Sequence, residues 1–440
     1  MNLPLFLARR VARGGSQSIS RTIIAIAVVA VAISMATVVL ASALISGFKS
    51  EISDKVFGFW GHVHITDERA GSDFMLSTDY PISTEQAFYP DLEETGQIEY
   101  QDFDRILDGQ SVETHTTEGG IRHIQQFILL PGIVSSFREG ERLADTEPLI
   151  MKGIAEDFLW EDFGRYLMEG EELRVSADST SRGILVSNAT AKRLRLSVGD
   201  RIDFVYFSGL REEKTRALQV QGIYKTGVDE YDSKFALVDI KQLQGLLNWR
   251  NDQVGGFEVI LDNIDDLEAF TDYIHYDVIP QELYAESIRR KLGEIFNWLD
   301  IQDYNGIIIL VLVVLVAVIN MMTALLILIL ERTNMIGTLK ALGQDNWSIR
   351  QIFLYYAGFI VIVGLLLGNL IGLGLAFLQK TFGIVQLDEE SYYLAVAPIK
   401  IEWAIVLGLN VGTFVVTLLF LVLPSYLVTK IDPVKAIRFK

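Results

Sequence analysis

Four long apolar stretches constrain this chain more than any other feature of its sequence. They occupy residues 22–46, 307–330, 353–378 and 403–428. Each exceeds the roughly 20 residues that a helix needs to cross a bilayer. Residues 47–304, a polar block of 258 residues, separate the first stretch from the second. The pattern predicts one membrane span, a large soluble domain and then three further spans.

The distribution of charge predicts the orientation in the membrane. Residues 1–46 contain four arginines and no acidic residue, and residues 429–440 contain four basic residues and one acidic residue. The polar block contains 25 basic and 49 acidic residues, a net charge of −24. Since short basic segments stay in the cytoplasm, both termini are predicted to be cytoplasmic and the block periplasmic, in a bacterial inner membrane. Its acidity argues against nucleic acid as a partner.

The first apolar stretch is predicted to be an uncleaved anchor. It is longer than the 7–15-residue apolar core of a signal peptide, and no clear small-residue cleavage site follows it. The preceding segment "NLPLFLARRVAR" has Leu3, Phe6, Leu7 and Val11 on one side and arginines on the other. It is predicted to be an interfacial helix that lies on membrane lipids.

Two of the predicted helices extend beyond the membrane. Apolar residues continue at helical spacing after the first span and before the second, at Phe48, Ile52, Val56 and Phe59 and at Ile288, Leu292, Ile295 and Leu299. A helix over residues 22–59 would be about 57 Å long, against a hydrocarbon core of about 30 Å. The pattern favours two stalk helices that carry the external domain, with two separate amphipathic helices as the alternative.

The polar block alternates between strand and helix patterns. "GHVHIT", "GGFEVIL", "RIDFVYF" and "RALQVQGIY" predict strands, whereas "SNATAKRLRL", "VDIKQLQGLLNW" and "NIDDLEAFTDYI" predict helices. The predicted fold is therefore an α-helical membrane protein with four transmembrane helices and a large α+β extracytoplasmic domain between spans 1 and 2. Three regions are predicted: 1–59, 60–285 with an inner module at about 150–250, and 286–440.

Motifs for catalysis or for binding a cofactor are missing from the sequence. It contains no phosphate-binding G-x-x-x-x-G-K-[ST] loop, no H-E-x-x-H, no G-x-S-x-G and no cysteine. His62 and His64 have the spacing of a metal pair, but alternation along a strand gives the same arrangement. We therefore predict no catalytic residue, no cofactor-binding residue and no metal ligand in this chain.

A short amphipathic helix is predicted over residues 334–342, between the second and third spans. The Thr333 hydroxyl would cap its start, and Gly343 would end it in the left-handed conformation. Its apolar side consists of Met335, Ile336, Leu339 and Leu342, with Lys340 off that side. This apolar side of the helix is either free to dock a partner, or it packs on the lipid surface or on the other helices of the chain. Asp345 or Asn346 would cap the next helix.

Small and polar residues inside the spans predict close helix packing. Span 3 has Gly364, Gly368 and Gly372 at four-residue spacing, which lets another helix approach closely. Span 1 is rich in alanine and suits close packing too, including packing against a second subunit. Asn320 in span 2 and Asn410 in span 4 are predicted to form hydrogen bonds within the bundle.

Several segments resemble one family of transporters. "ERTNMIGTLKALG" followed by "IRQIF" resembles the loop between spans 2 and 3 of the MacB/FtsX/LolC superfamily of ABC transporter permeases. "LPSYLVTKIDPVKAIRFK" resembles the C-terminal signature of that superfamily. "MNLPLFLARR", "GILVSNATAKRLRLSVGDRIDF", "VQGIYKTGVDEYDSKFALVDI" and "RRKLGEIFNWL" resemble, in order, segments of its lipoprotein-releasing LolC/LolE branch.

The resemblance implies a mechanism in which ATP is hydrolysed elsewhere. Two permeases, either two copies or a copy and a paralogue, would pair above a separate LolD-like ATPase that binds ATP and Mg²⁺. ATPase closure would move the stalks and the external domains, which is mechanotransmission. The short helix would be the coupling helix, with candidate residues Thr333, Met335, Ile336, Gly337, Leu339, Lys340, Leu342 and Gly343.

The resemblance also implies lipoprotein cargo and a LolA-like periplasmic carrier. The candidate cargo surface consists of Val39, Leu40, Ala43 and Leu44 of span 1 and Ile307, Ile308 and Val311 of span 2. The candidate carrier-docking hairpin is short and consists of Phe207, Ser208, Gly209 and Leu210.

Two other functions fit the same superfamily. One is a MacB-like permease that exports peptides or drugs. The other is an FtsX-like protein that regulates cell-wall hydrolases without transport, against which the length of the external block argues.

Overall fold

The computed structural model describes residues 18–70, 79–101, 114–136, 145–208, 212–388, 392 and 394–431. The predicted interfacial helix before the first span lies outside these residues. The chain forms two compact units. One, which we call the membrane unit, comprises Met1–Glu51, Asn297–Leu387 and Val396–Lys440. The other, which we call the external unit, comprises Ile52–Phe296 and Asp388–Ala395.

The described residues form twelve α-helices, which we number in chain order. They are α1 Ser18–Trp60, α2 Trp160–Phe163, α3 Asn188–Leu194, α4 Asp229–Lys234, α5 Ile240–Leu247, α6 Leu267–Tyr273, α7 Ile288–Lys291, α8 Gly293–Glu331, α9 Thr333–Ala341, α10 Asn346–Phe382, α11 Trp403–Ser425 and α12 Leu427–Lys430. Short 3₁₀ turns occupy Asp91–Glu94, Gly164–Tyr166 and Ile264–Asp266, and a π turn occupies Ile274–Val278.

The same residues form fourteen β-strands. They are β1 Val63–Asp67, β2 Ile82–Ser83, β3 Glu99–Gln101, β4 Thr114–Thr116, β5 Ile121–Ser136, β6 Asp145–Ile154, β7 Leu167–Gly170, β8 Gly183–Ser187, β9 Arg201–Ser208, β10 Glu212–Tyr224, β11 Phe235–Asp239, β12 Gln253–Val254, β13 Gly256–Leu261 and β14 Leu283–Ser287. The predicted strand and helix segments of the polar block are thus confirmed, as is the α+β class.

Four of the helices are long and apolar enough to cross a membrane, namely α1, α8, α10 and α11. The prediction of four spans is therefore confirmed. Two of these helices are much longer than a bilayer requires. Helix α1 has 43 residues and α8 has 39, which correspond to roughly 64 and 58 Å.

The two predicted extensions differ in detail. Helix α1 continues without a break from the first span to Trp60, as predicted. The extension before the second span is interrupted, because Leu292 has non-helical backbone angles between α7 and α8. Of the predicted stripe, Ile288 therefore lies on the one-turn helix α7, and Ile295 and Leu299 lie on α8.

Within the membrane unit, α10 packs against α1 through its glycines. A Cβ atom added at Gly364 would lie 2.7 Å from Val31 Cβ, and one at Gly368 would lie 2.6 Å from Ala32 O. One at Gly372 would lie 3.0 Å from Ala36 Cα. The alanine-rich span thus packs within its own chain, and the alternative of packing against a second subunit is wrong for this face.

The external unit is built on a mixed sheet of ten strands. Its order is β14-β1-β13-β5-β6-β11-β8-β10-β7, and β9 pairs with both β10 and β5. The β6–β11 and β8–β10 pairs are parallel, and the other pairs in this sheet are antiparallel. Because β9 joins β10 to β5, the strands β5, β6, β11, β8, β10 and β9 form a closed ring, in which each strand has a neighbour on both sides.

Candidate functional site

Helix α9, at the predicted coupling position, packs its apolar side onto its own bundle. Ile336 is fully buried, and Met335 and Leu339 pack against the same cluster of apolar side chains from α1, α8 and α10. Gly337 is buried as well. The interpretation that this side is free to dock a partner is therefore wrong for Ile336 and Gly337, whereas Met335 and Leu339 remain half-buried. Burial of apolar surface holds α9 against the membrane unit.

The start of α9 also differs from the prediction. Thr333 does not cap the helix, since its hydroxyl donates to Leu330 O at 2.8 Å and Arg332 occupies the cap position without a side-chain bond. At the other end Gly343 has φ +87°, as predicted. Lys340 donates to the carbonyl oxygens of Thr429 and Ile431, at 3.2 and 2.9 Å.

The surface that α9 leaves open lies at its C-terminal end. Leu342 is 78% exposed, and Trp347, in the first turn of α10, is 53% exposed. The turn between them is fixed by Asp345, which caps α10 by accepting from Ser348 N at 3.1 Å. Large apolar side chains on a rigid turn are typical of contact surfaces. We call Leu342 and Trp347, with the turn between them, the turn surface.

An open apolar groove of about 610 Å³ lies between α8 and α11. Its walls are mostly aliphatic, with Gly408 and Gly412 on the α11 side, which widen the groove because they carry no side chain. Val311, a predicted cargo residue, lines it. The volume falls in the range of ligand sites, and the apolar lining suits hydrocarbon.

A second groove of about 230 Å³ lies between α1, α8 and α11. It contains the predicted Ile307, but the α1 residues that line it are Val38, Ala41, Ser42, Ile45 and Ser46.

Four of the predicted cargo residues lie on α1, but not on the open face of that helix. Val39 and Ala43 are buried, Val39 beside Gly372, and Leu40 and Leu44 are half-buried. The prediction that Val39 and Ala43 line an open surface is wrong, because that side of α1 packs on α10. On α8, Ile308 is exposed.

The predicted carrier-docking hairpin is formed by β9 and β10. These strands pair in register from Ser208 opposite Glu212 to Arg201 opposite Gln219. Phe207, near the tip, is 54% exposed. Gly209 and Leu210 lie outside the described residues.

A row of buried polar side chains crosses four neighbouring strands of the external sheet. His64 on β1 lies opposite Glu258 on β13, and Glu258 lies opposite Gln125 on β5. Gln125 Nε2 donates to Glu258 Oε2 at 2.7 Å. Lys152 on β6 reaches Glu258 Oε1 at 2.7 Å. We call His64, Glu258, Gln125 and Lys152 the buried polar row.

The buried polar row holds the end of α1. Lys152 Nζ donates to Phe59 O and lies about 5 Å from the ring centres of Phe59 and Trp60. His64 Nε2 lies 2.7 Å from Trp60 O. The last carbonyl groups of a helix carry partial negative charge, so the ammonium group stabilises this helix end.

Burial and charge shift the pKa values in this row. Burial lowers the pKa of Lys152 and lowers that of His64 to about 4. Burial alone would raise the pKa of Glu258, but Lys152 and His64 together hold it below its usual value. Glu258 is therefore an ionised carboxylate, and its charge is balanced by the lysine.

The two histidines of the predicted pair are each engaged in other contacts. His62 Nδ1 accepts from Leu261 N at 3.1 Å and stacks on Phe57, whereas His64 belongs to the buried polar row. Among the described residues, no group of three or more histidine, aspartate or glutamate side chains is placed to hold a metal ion.

Sequence reasoning missed two features, and each left a signal. Lys152 is the only charged residue in the apolar segment "LIMKGIA", which predicts a buried partner of opposite charge. Trp347 and Tyr426 are aromatic residues at the ends of spans, where such side chains concentrate at the membrane interface. Arg350 lies 5.3 and 5.5 Å from the centres of their two rings.

Two protein families match this chain. The family described as MacB-like periplasmic core domain matches residues 24–275. The family described as FtsX-like permease C-terminal matches residues 307–433. Together they cover the first span, most of the external unit and the last three spans.

Relatives of known name are similar over much or all of the chain. The lipoprotein-releasing system transmembrane protein LolE of Haemophilus influenzae is 24% identical, over 99% of both chains. LolC of Xylella fastidiosa is 22% identical, over 77% of this chain and 86% of its own. Among solved structures, the extracellular domain of the ABC-type transporter YknZ from Gram-positive bacteria covers 51% of this chain and all of its own, with 11% identity and a TM-score of 0.29.

Proposed function

The chain belongs to the family of FtsX-like ABC transporter permeases with a MacB-like periplasmic core domain, and from this premise we propose that it releases lipoproteins from the bacterial inner membrane. In this proposal the cargo passes to a periplasmic carrier and then to the outer membrane. Members of the family are permease subunits, and ATP hydrolysis is assigned to a partner ATPase.

The observation that carries this proposal is the similarity to LolE, which covers 99% of each chain. It includes the spans, the external unit and the connections between them. A peptide exporter or a regulator of the same superfamily would share the four spans. It would not be expected to resemble a lipoprotein-releasing protein along the whole external unit.

The physical chemistry of a lipid anchor supports an energy-driven permease with apolar grooves. Removing acyl chains from a bilayer costs about 0.8 kcal/mol for each methylene group, so an anchor with two or three chains does not leave unaided. The groove between α8 and α11 and the groove between α1, α8 and α11 offer hydrocarbon-like walls. We assign them as the surfaces that receive acyl chains, in place of the buried Val39 and Ala43.

The long helices support transmission of force. Helices α1 and α8 continue well past their apolar stretches as single rods, and the end of α1 is held by the buried polar row. In the proposed mechanism, the ATPase binds the turn surface on the cytoplasmic side and moves these helices. The inward packing of Met335, Ile336 and Leu339 then couples α9 rigidly to the spans.

Replacing Leu342 with aspartate is expected to abolish transport-coupled ATPase activity in the reconstituted complex with its ATPase partner. Leu342 is 78% exposed, so the change places a charge at the proposed contact without disturbing the bundle. Leu339→Asp is a less direct test, because Leu339 is half-buried against the bundle and a charge there would also weaken the packing of α9. The measurement is ATP turnover in the presence of a lipoprotein.

Met168→Asp is the matched control for this prediction. Met168 is also an exposed apolar residue, 56% exposed, and lies on β7 of the external unit. This variant is expected to retain normal turnover. Normal turnover in Leu342→Asp as well would remove the turn surface as the ATPase contact.

Depletion of the protein is expected to leave lipoproteins in the inner membrane. The measurement is fractionation of the two membranes followed by quantification of acylated proteins in each. A soluble periplasmic protein and an integral outer-membrane protein serve as controls for general export. Unchanged lipoprotein distribution would contradict the proposed cargo and leave the assignment as an ABC permease in place.

A further inference from the structure

Helix α1 is held on two sides where it leaves its predicted span. On one side, Lys49 Nζ donates to Asp303 Oδ2 of α8 at 2.6 Å, and a Cβ atom added at Gly306 would lie 2.8 Å from Ile45 Cδ1. On the other side, α1 meets the segment that joins α10 to α11, which we call the α10–α11 loop. The residues that make these contacts all belong to the membrane unit.

The contact between α1 and the α10–α11 loop depends on a glycine. A Cβ atom added at Gly47 would lie 2.7 Å from Pro398 C and 3.0 Å from Ile399 N, so only glycine lets the loop backbone reach the helix backbone here. Lys400 N donates to Ala43 O, one turn earlier on α1, at 3.0 Å. The loop therefore holds a full turn of α1 through backbone atoms, which cannot rotate away.

The side chain of Gln379, near the end of α10, fixes the course of this loop. Gln379 Oε1 accepts from Val385 N at 2.8 Å, and Gln379 Nε2 donates to Val385 O and Ala397 O at 3.2 and 3.0 Å. Ala397 N also donates to Val385 O at 3.1 Å. The amide is buried, so these three bonds tie both ends of the loop to α10.

The two helices that carry the loop are joined to each other. Asn369 Nδ2 donates to Asn410 Oδ1 at 2.6 Å, and Asn410 Nδ2 donates to Asn369 Oδ1 at 3.1 Å. The prediction that Asn410 bonds within the bundle is thus confirmed. The same prediction for Asn320 is wrong, since its exposed side chain forms no hydrogen bond with the described residues. The α10–α11 loop therefore projects from a paired set of helices.

We propose that the α10–α11 loop and Asp303 form a pivot for α1, and that Gln379 is the residue that positions the loop. Helix α1 runs from Ser18 to Trp60, and Gly47 lies between its two ends. A rod held at one point turns about that point when one end is displaced, and close-packed contacts transmit the displacement. The inference rests on the proposed function, in which a partner ATPase moves this helix.

Gln379→Leu is expected to uncouple ATP hydrolysis from lipoprotein release in the complex reconstituted in lipid vesicles. The number of lipoproteins released per ATP hydrolysed should fall by roughly ten-fold, a size typical of coupling between separate sites. ATP turnover itself should stay close to the parental rate, because the turn surface is unchanged. Gln386→Leu is the matched control, because Gln386 lies in the same loop with an exposed side chain.

Gly47→Ala tests the same contact from the side of α1. The added Cβ atom pushes the loop away from the helix and leaves Gln379 in place, so the result does not depend on a single variant that folds. Size-exclusion chromatography of each complex checks its assembly. Gly47→Ala is expected to show the same loss of release per ATP as Gln379→Leu.

A chemical bridge separates the pivot from a general loss of stability. Lys400 Nζ donates to Ser50 Oγ at 3.2 Å, and the chain contains no cysteine, so Ser50→Cys and Lys400→Cys can be joined by a short bifunctional thiol reagent. Bridging is expected to preserve release in the parental background, because a pivot stays closed throughout the cycle. In the Gln379→Leu background, bridging is expected to restore release per ATP, which it would not do for damage elsewhere.

The inference is overturned if both Gln379→Leu and Gly47→Ala release lipoprotein with parental efficiency, or if the bridge fails to restore release in Gln379→Leu. Loss of release on bridging the parental background would also overturn it, because the loop would then have to leave α1 during the cycle.

A measurement without cargo distinguishes the pivot from the proposed function. Spin labels on Ser50→Cys and Lys400→Cys are expected to report the same separation in the nucleotide-free and the ATP-trapped complex. A separation that changes with ATP would overturn the pivot. A constant separation in a parental complex that releases no lipoprotein would remove the proposed function and leave the pivot.

Discussion

Replacing Gly368 with leucine is expected to prevent stable assembly of the membrane unit. A Cβ atom at this position would lie 2.6 Å from both Ala32 O and Met35 Cβ of α1. Forcing an extra side chain into a packed core costs about 1–3 kcal/mol. The cost at Gly368 is expected to exceed this range, because one of the obstructing atoms belongs to helix backbone and cannot rotate away.

Thermal unfolding of the purified full-length chain in detergent measures this effect. A loss of more than about 3 kcal/mol should lower Tm by roughly 6 °C or more, with aggregation visible in size-exclusion chromatography. Gly374→Leu is the control, because Gly374 lies on the same helix and a Cβ atom there would meet nothing within 4 Å. It is expected to unfold like the parent.

The loss of stability on substituting the α10 glycines is expected to follow how closely each glycine approaches α1. At Gly372 the nearest atom, Ala36 Cα, is 3.0 Å from an added Cβ, so Gly372→Ala is expected to be milder than Gly368→Ala. Equal stability of Gly368→Leu and Gly374→Leu would contradict the observed packing of α1 on α10.

The sequence predicted the elements of this fold better than their partners. The four spans follow from apolar length, and the strands of the external unit follow from alternation, because both depend on residues close together in the chain. The small residues of α1 and α10 indicated a close helix contact but not its identity. A pattern of small residues indicates how closely a neighbouring helix can approach. It does not indicate whether that helix belongs to the same chain or to another.

Helix α9 shows the same limit on a smaller scale. Its amphipathic pattern predicted a helix with an apolar side, and the structure contains that helix at Thr333–Ala341. The pattern could not state that Ile336 is buried in the bundle while Leu342 is exposed. The direction of an apolar side depends on the angle at which the chain leaves the preceding span, and the break between the two helices falls at Arg332, which has no side-chain capping bond.

Long-range register is the third property that single-sequence patterns do not contain. The β9–β10 hairpin was predicted, but β9 also pairs with β5, with Ile133 opposite Val205. These residues are far apart in the chain, and no local pattern specifies their pairing. The buried polar row depends on register in the same way, since Glu258 meets Lys152 only when β13, β5 and β6 are aligned.

Replacing Lys152 with methionine is expected to destabilise the external unit by about 3–5 kcal/mol, because Glu258 would remain buried without its ion-pair partner. Lys152 and Glu258 have 1% and 0% of their side chains exposed, and methionine keeps most of the apolar stem of lysine. Loss of β-sheet circular dichroism in denaturant, measured on the full-length chain, reports the change in unfolding free energy.

A second substitution separates the charge from the packing. In Lys152→Met combined with Glu258→Gln, no uncompensated charge remains, and glutamine can still accept a hydrogen bond from Gln125. This double variant is therefore expected to recover most of the lost stability. Glu171→Gln is the control for an exposed pair, because Glu171 and Arg174 are 67% and 83% exposed and such pairs contribute about 0–1 kcal/mol.

The double variant also tests whether the lysine has a role at the end of α1. Methionine cannot donate to Phe59 O or place a charge over the Phe59 and Trp60 rings. The contact between the last turn of α1 and the sheet is therefore expected to remain weakened in the double variant, even though its free energy of unfolding is largely recovered. Faster amide hydrogen exchange at the last turn of α1 in the double variant would reveal this. Exchange at the parental rate there would mean that packing alone holds the helix end and that the charge serves only to balance Glu258.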